Sequence, residues 1–105
     1  MVLATLALSV AFAAGDASRG KPIYTANCMA CHGEKGDGRG PAAVALRPAP
    51  PDLTRAAWWD GRADAQVIGV IRAGRPGTPM LGNTNLKDEE IADLVAYLRA
   101  LAVAP

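Results

Sequence analysis

Strong charge of either sign is missing from this chain, and so are long apolar runs and most aromatics. Its 105 residues carry 11 basic and 10 acidic side chains, for a formal net charge of +1. That balance lacks the basic footprint of a nucleic-acid surface, so no nucleic-acid partner is expected. Any steering of partners has to come from local patches. Aromatics make up only 5%, and a core of side chains alone is thin in so short a chain; a cofactor at the centre would add to it. No apolar run reaches the roughly 20 residues that cross a bilayer comfortably. Strand patterns are absent. No Ser/His/Asp set and no carboxylate pair suggests catalysis, so the chain is not expected to be an enzyme by itself.

The length suits one domain and not two. Val2 to Ala14 holds no charged residue, and Ala11-Phe12-Ala13 puts small residues at the two positions a signal peptidase reads. Residues 1–13 are therefore expected to be a secretory signal cut after Ala13, with 14–105 as the domain. No Lys or Arg precedes the apolar run. The alternative is a retained N-terminal anchor, and only then is membrane contact expected.

Cysteine and histidine are scarce, which makes their placement informative. The two cysteines and the one histidine all fall in Cys28-Met29-Ala30-Cys31-His32. A C-x-x-C-H run reads as a c-type haem attachment site. Residues three apart share one face of a helical turn, so both thiols can reach the vinyl groups of one porphyrin. His32, next in the chain, then presents a ring nitrogen to the iron. A thioredoxin-like dithiol would need a βαβ setting. Zinc would want four ligands, and a Cys28–Cys31 disulfide leaves His32 unexplained. Such haem sites are assembled outside the bacterial cytoplasm, which agrees with an exported, periplasmic protein.

The second axial ligand follows by elimination. The methionines are Met1, Met29 and Met80. Met1 falls in the expected signal, and Met29 lies between the two anchoring cysteines and cannot reach the opposite ring face. Met80 sits in Gly74-Arg75-Pro76-Gly77-Thr78-Pro79-Met80-Leu81-Gly82, a loop by composition whose prolines restrict the backbone. The competing reading makes Met80 a flexible apolar filler near the cofactor.

A helix is expected over about Ala17–Ala30, capped by Asp16 or Ser18. A glycine-rich loop follows from Gly33 to Gly40 and ends at Pro41. Pro48-Ala49-Pro50-Pro51 reads as an extended connector, with Asp52 capping a short helix to Trp58 or Trp59. Another helix spans about Asp64–Ala73 and stops at Gly74. In the last helix, Ile91, Leu94, Val95, Leu98 and Leu101 recur at helical spacing, behind an acidic first turn that suits the helix dipole. The fold class is all-α.

From about Ser18 to Leu101 the chain resembles the class I monohaem cytochromes c of bacteria. The matching pieces are Tyr24-x3-Cys28-x2-Cys31-His32-Gly33, Gly38-x-Gly40-Pro41, Pro51-Asp52-Leu53-Thr54-x3-Trp58, Gly77-Thr78-Pro79-Met80, Asp88-Glu89-Glu90-Ile91 and Leu94-Val95-Ala96-Tyr97-Leu98-Arg99. The resemblance implies about four short helices around one covalent haem, with the terminal helices crossing through Gly20, Tyr24, Leu94 and Tyr97. It implies that the Pro41 carbonyl accepts a hydrogen bond from the His32 ring, and that the Trp58 indole lies near a propionate. Relatives often have Ser or Thr where Lys87 and Ala63 stand, so Asp88 and Asp64 are expected to take over as caps. Many relatives have Pro after Met80, where this chain has Leu81. The function implied is one-electron transfer, as a soluble carrier or as the electron-accepting subunit of a redox complex. Its partners would be redox proteins, dehydrogenases or oxidases and reductases, docking near Lys35, Arg39, Arg72 and Arg75. The alternative is a labile distal site for gas binding or weak peroxidase chemistry.

Overall fold

The computed structural model describes residues 15–102, and the expected signal segment lies outside them. Asp16 opens the first helix: its carboxylate accepts from the Ser18 and Arg19 amides at 2.8 and 3.4 Å, which satisfies amides that a helix start leaves unpaired. Helix α1 runs Ala17–Asn27 and ends at Cys28, whose φ of −122° departs from helical values. A second, single-turn helix, α2, then spans Met29–His32. The expected helix to Ala30 is thus two helices, which brings the number among the described residues to five. The others are α3 (Ala56–Trp59), α4 (Asp64–Ala73) and α5 (Asp88–Ala100), with a 3₁₀ turn at Ala43–Ala45. No strand occurs among the described residues. One isolated antiparallel bridge joins Gly74 to Leu81.

Helices α1 and α5 cross in contact because Gly20 has no side chain. A Cβ there would sit 2.0 Å from the Asp93 carbonyl oxygen and 2.8 Å from the Tyr97 Cβ. The Tyr24 and Tyr97 rings pack beside that point with centroids 5.2 Å apart. Asp93 locks the crossing from α5, accepting from the Asp16 amide at 2.7 Å and from Arg19 at 3.3 Å. Tyr24, Ile91 and Leu94 are the most deeply buried side chains, and Leu53, Trp59, Val67 and Ile71 extend the core to α3 and α4. Burying each such aliphatic side chain contributes about 1.5–3 kcal/mol.

Three expected caps are corrected. Lys87, not Asp88, is the N-cap of α5, and the Glu90 side chain accepts from its amide at 3.0 Å. Ala63, not Asp64, caps α4 in the same way through Gln66 at 2.9 Å. A side chain three residues into the helix can reach back to the cap amide when the cap residue itself has no acceptor. Asp52 caps no helix; it accepts from the Thr54 amide and hydroxyl at 2.9 and 2.5 Å, a local turn ahead of α3.

Candidate functional site

The Cys28–His32 segment is a true helical turn. The His32 amide donates to the Cys28 carbonyl at 2.9 Å and the Gly33 amide to the Met29 carbonyl at 2.8 Å. Cys28 and Cys31 therefore lie on one face of the turn, and both are free thiols, partly buried. Burial pushes the Cys28 thiol up to about 11, with Cys31 adding to the shift. His32 is lowered from its ordinary value by burial, which favours the neutral imidazole a metal requires. Its Nδ1 atom is buried without any hydrogen-bond partner.

A glycine-rich loop wraps this turn. The Gly38 amide donates to the His32 carbonyl at 2.8 Å, Gly40 to Cys31 at 3.3 Å and Ala42 to Ala30 at 2.9 Å. Gly40 comes so close that a Cβ would lie 2.3 Å from the Ala30 carbonyl oxygen. Pro41, exposed between Gly40 and Ala42, does not accept the hydrogen bond expected from the His32 ring, since the buried Nδ1 is unpartnered. The path of this loop is set by its backbone bonds to Ala30 and Cys31. A contact the sequence pattern did not reveal comes from α1: the Tyr24 hydroxyl donates to the Gly33 carbonyl at 2.5 Å. That bond pins the residue directly after His32 from inside the core.

Met80 is half-buried in a loop tied at both ends. The Arg75 amide donates to the Met80 carbonyl at 3.2 Å, and the Asn83 amide to Ile71 on α4 at 2.8 Å. The Thr78 hydroxyl caps the bend, donating to Arg75 at 2.8 Å and accepting from the Met80 amide at 3.3 Å. The Asn83 side chain donates to Asn27 Oδ1 at 3.0 Å. The base of the Met80 loop is thus joined to the last residue of α1, next to Cys28. Leu81 is 86% exposed.

The two tryptophans separate by role. Trp59 is buried, and its indole donates to the Leu53 carbonyl at 2.9 Å. Trp58 is half-buried and packs edge-on against Trp59, with Arg62 4.2 Å over its ring. Its indole N–H makes no hydrogen bond among the described residues. Of the expected basic rim, Arg72 is engaged with Asp88, whereas Lys35 and Arg39 line an open groove with Asp37, Asp52 and Leu101.

This donor set fits a covalent c-type haem. Two free thiols on one turn would supply the thioether anchors, and an imidazole with an orphaned ring nitrogen follows them immediately. Among the described residues no helix is long and apolar enough to cross a membrane.

Comparison with known proteins agrees. Residues 17–102 match the family model described as Cytochrome c. The chain is 34% identical over 88 residues to a Cbb3-type cytochrome c oxidase subunit CcoP of Azospirillum brasilense, covering 84% of this chain and 29% of that protein. It is 32% identical to a cytochrome c-553-like protein of Synechocystis sp., covering 83% and 70% respectively. Among solved structures, it resembles the KustC0563 c-type cytochrome with a TM-score of 0.62 at 27% identity, over 78% of this chain and 95% of that one. It also resembles a chain of the Kuenenia stuttgartiensis reducing HAO-like protein complex, with a TM-score of 0.70 at 26% identity, over 82% and 42%. The chain spans about three-tenths of the length of the CcoP relative.

Proposed function

The chain belongs to the cytochrome c family, a haem-based electron-transfer family, and on that premise we propose that it carries single electrons on one haem c. Cys28 and Cys31 hold the haem covalently, and His32 and Met80 ligate its iron. The observation that carries this reading is the Cys28–His32 turn, with two free thiols on one face and, next in the chain, an imidazole whose Nδ1 is buried and unpartnered. When bound, the haem supplies a one-electron couple whose potential a thioether ligand raises. The chain's own part is rigidity. The Gly33–Gly40 loop and the Tyr24 hydroxyl fix the proximal turn, and Thr78, Arg75 and Asn83 fix the loop that carries Met80. The two segments that would hold the haem are thus both tied to the rest of the fold, so little of the chain would have to move on electron transfer.

Trp58 is the tryptophan with a free indole N–H, so it, rather than Trp59, is proposed to reach a propionate. Residues 14–105 form the haem domain, following a signal of residues 1–13, and the protein works in the periplasm. Its partners are redox proteins, met either as a soluble carrier or as one domain of a redox complex. The oxidase-subunit relatives favour the second arrangement, and the cytochrome c-553-like relative favours the first.

The test begins with the haem-loaded protein. After denaturation its mass should still include one haem, and the Cys28→Ser/Cys31→Ser double variant should lose it. Met80→Ala should lower the reduction potential by on the order of 0.1 V, within the ≈0.8 V range that axial ligands span. A haem that extracts freely from the wild-type protein would contradict covalent attachment. An unchanged potential in Met80→Ala would remove Met80 from the iron.

A further inference from the structure

We propose that Asn27 and Asn83 form a clasp that keeps Met80 seated, with Asn83 as a positioning residue for the distal ligand. The proposal rests on the His32/Met80 reading above. Asn83 stands three residues after Met80 and makes three hydrogen bonds that pull in different directions. Its amide donates to Ile71 on α4 at 2.8 Å. Its side-chain carbonyl accepts from the Asn85 amide at 2.9 Å, and its side-chain amide donates to Asn27 Oδ1 at 3.0 Å. Asn27 is itself fixed, because its side-chain amide donates to the Ile23 carbonyl one turn earlier in α1 at 2.9 Å.

Asn27 directly precedes Cys28. This one side-chain pair therefore joins the last residue before the proximal anchor to the end of the distal loop, positions far apart in sequence. The loop's other ties run only to α4 or within itself: the Gly74–Leu81 bridge, the Asn83 amide to Ile71 and the Thr78 bend. Those ties preserve the loop's shape. Among the hydrogen bonds of this loop, the Asn27–Asn83 pair is the one that sets its position relative to the Cys28 turn. Gly82, beside Asn83, leaves no slack, since a Cβ there would lie 2.4 Å from the Arg72 carbonyl oxygen. Release of the clasp should let the loop lift as a unit and expose the distal side.

The experiment measures carbon monoxide binding to the ferrous, haem-loaded protein for wild type, Asn27→Ala, Asn83→Ala, the double variant and Met80→Ala. Hydrogen exchange at the Met80 and Asn83 amides is followed in parallel. Asn27 is exposed, so Asn27→Ala spares the core and the fold. One lost hydrogen bond of ordinary strength shifts a loop-open equilibrium about fivefold. Each single variant should bind the gas about fivefold faster than wild type, with both amides exchanging faster by a similar factor. The double variant should stand near the larger single variant and well short of the product of the two, because the Asn27–Asn83 bond can be lost only once. Single variants that match wild type in both readouts would overturn the clasp, as would a double variant near the product of the two effects. If wild type takes up the gas as fast as Met80→Ala does, the axial assignment has failed, and the clasp fails with it.

Discussion

Tyr24 is buried to 1% exposure, and its hydroxyl donates to the Gly33 carbonyl. Tyr24→Phe keeps the ring and removes one of the two donors to that carbonyl, the Gly36 amide remaining at 3.2 Å, at a cost of about 1 kcal/mol, read as a lower midpoint in denaturant unfolding. Burial, with Cys28 adding to it, raises the phenol above its ordinary value of 10.0. A raised folded-state pKa stabilises fully below the unfolded value and is lost as pH climbs beyond it. Wild-type stability should therefore fall above about pH 10 more steeply than that of Tyr24→Phe; parallel profiles would contradict the assignment. The family resemblance placed Tyr24 at the helix crossing but said nothing of its hydroxyl, whose acceptor is a main-chain atom that no sequence pattern reports. Cys28, Cys31 and His32 were legible for the opposite reason: covalent chemistry ties them to a spacing within one turn. The backbone bonds to Ala30 and Cys31 that set the path of the glycine-rich loop were invisible in the sequence.

Helices α4 and α5 begin at Asp64 and Asp88 and end within a residue or two of their expected limits, since apolar spacing and a stopping glycine at Gly74 are local signals. The caps were less legible. Glu90 and Gln66 reach back to the cap amides of Lys87 and Ala63, which a search for a hydroxyl or carboxylate at the cap position overlooks. The break at Cys28 was also hidden, because α2 is held by the loop that wraps it as much as by its own propensity. The crossing of α1 and α5 yields a direct test at this scale. Gly20→Ala places a methyl group against the Asp93 backbone, which cannot swing aside as a side chain would. The helices must separate, at a cost of about 3 kcal/mol, visible as a lower unfolding midpoint. Gly69, where a Cβ meets nothing within 4 Å, serves as the control, and Gly69→Ala should not destabilise. Equal effects at the two positions would mean that the crossing is not close.

Across the whole molecule, the balanced charge foreseen in the sequence has a structural counterpart. Asp37 and Asp52 share a groove with Lys35 and Arg39, and Arg72 spends its charge on Asp88. Exposed pairs of this kind contribute at most about 1 kcal/mol, so their effect is on partner recognition more than on stability. The all-α fold was legible because apolar spacing and stop signals are local, and the family resemblance implied the arrangement of the helices around a haem. The partners were not, because docking depends on which charges are already paired, and pairing is a tertiary property. The proposed function requires a haem closed on both sides by tied segments, suited to passing electrons rather than binding ligands. The most direct measurement is the visible spectrum of the reduced, haem-loaded protein with and without carbon monoxide. The expected result is a spectrum that the gas does not promptly shift. A prompt shift in the wild-type protein would contradict it and make ligand binding at an open distal site the function to pursue.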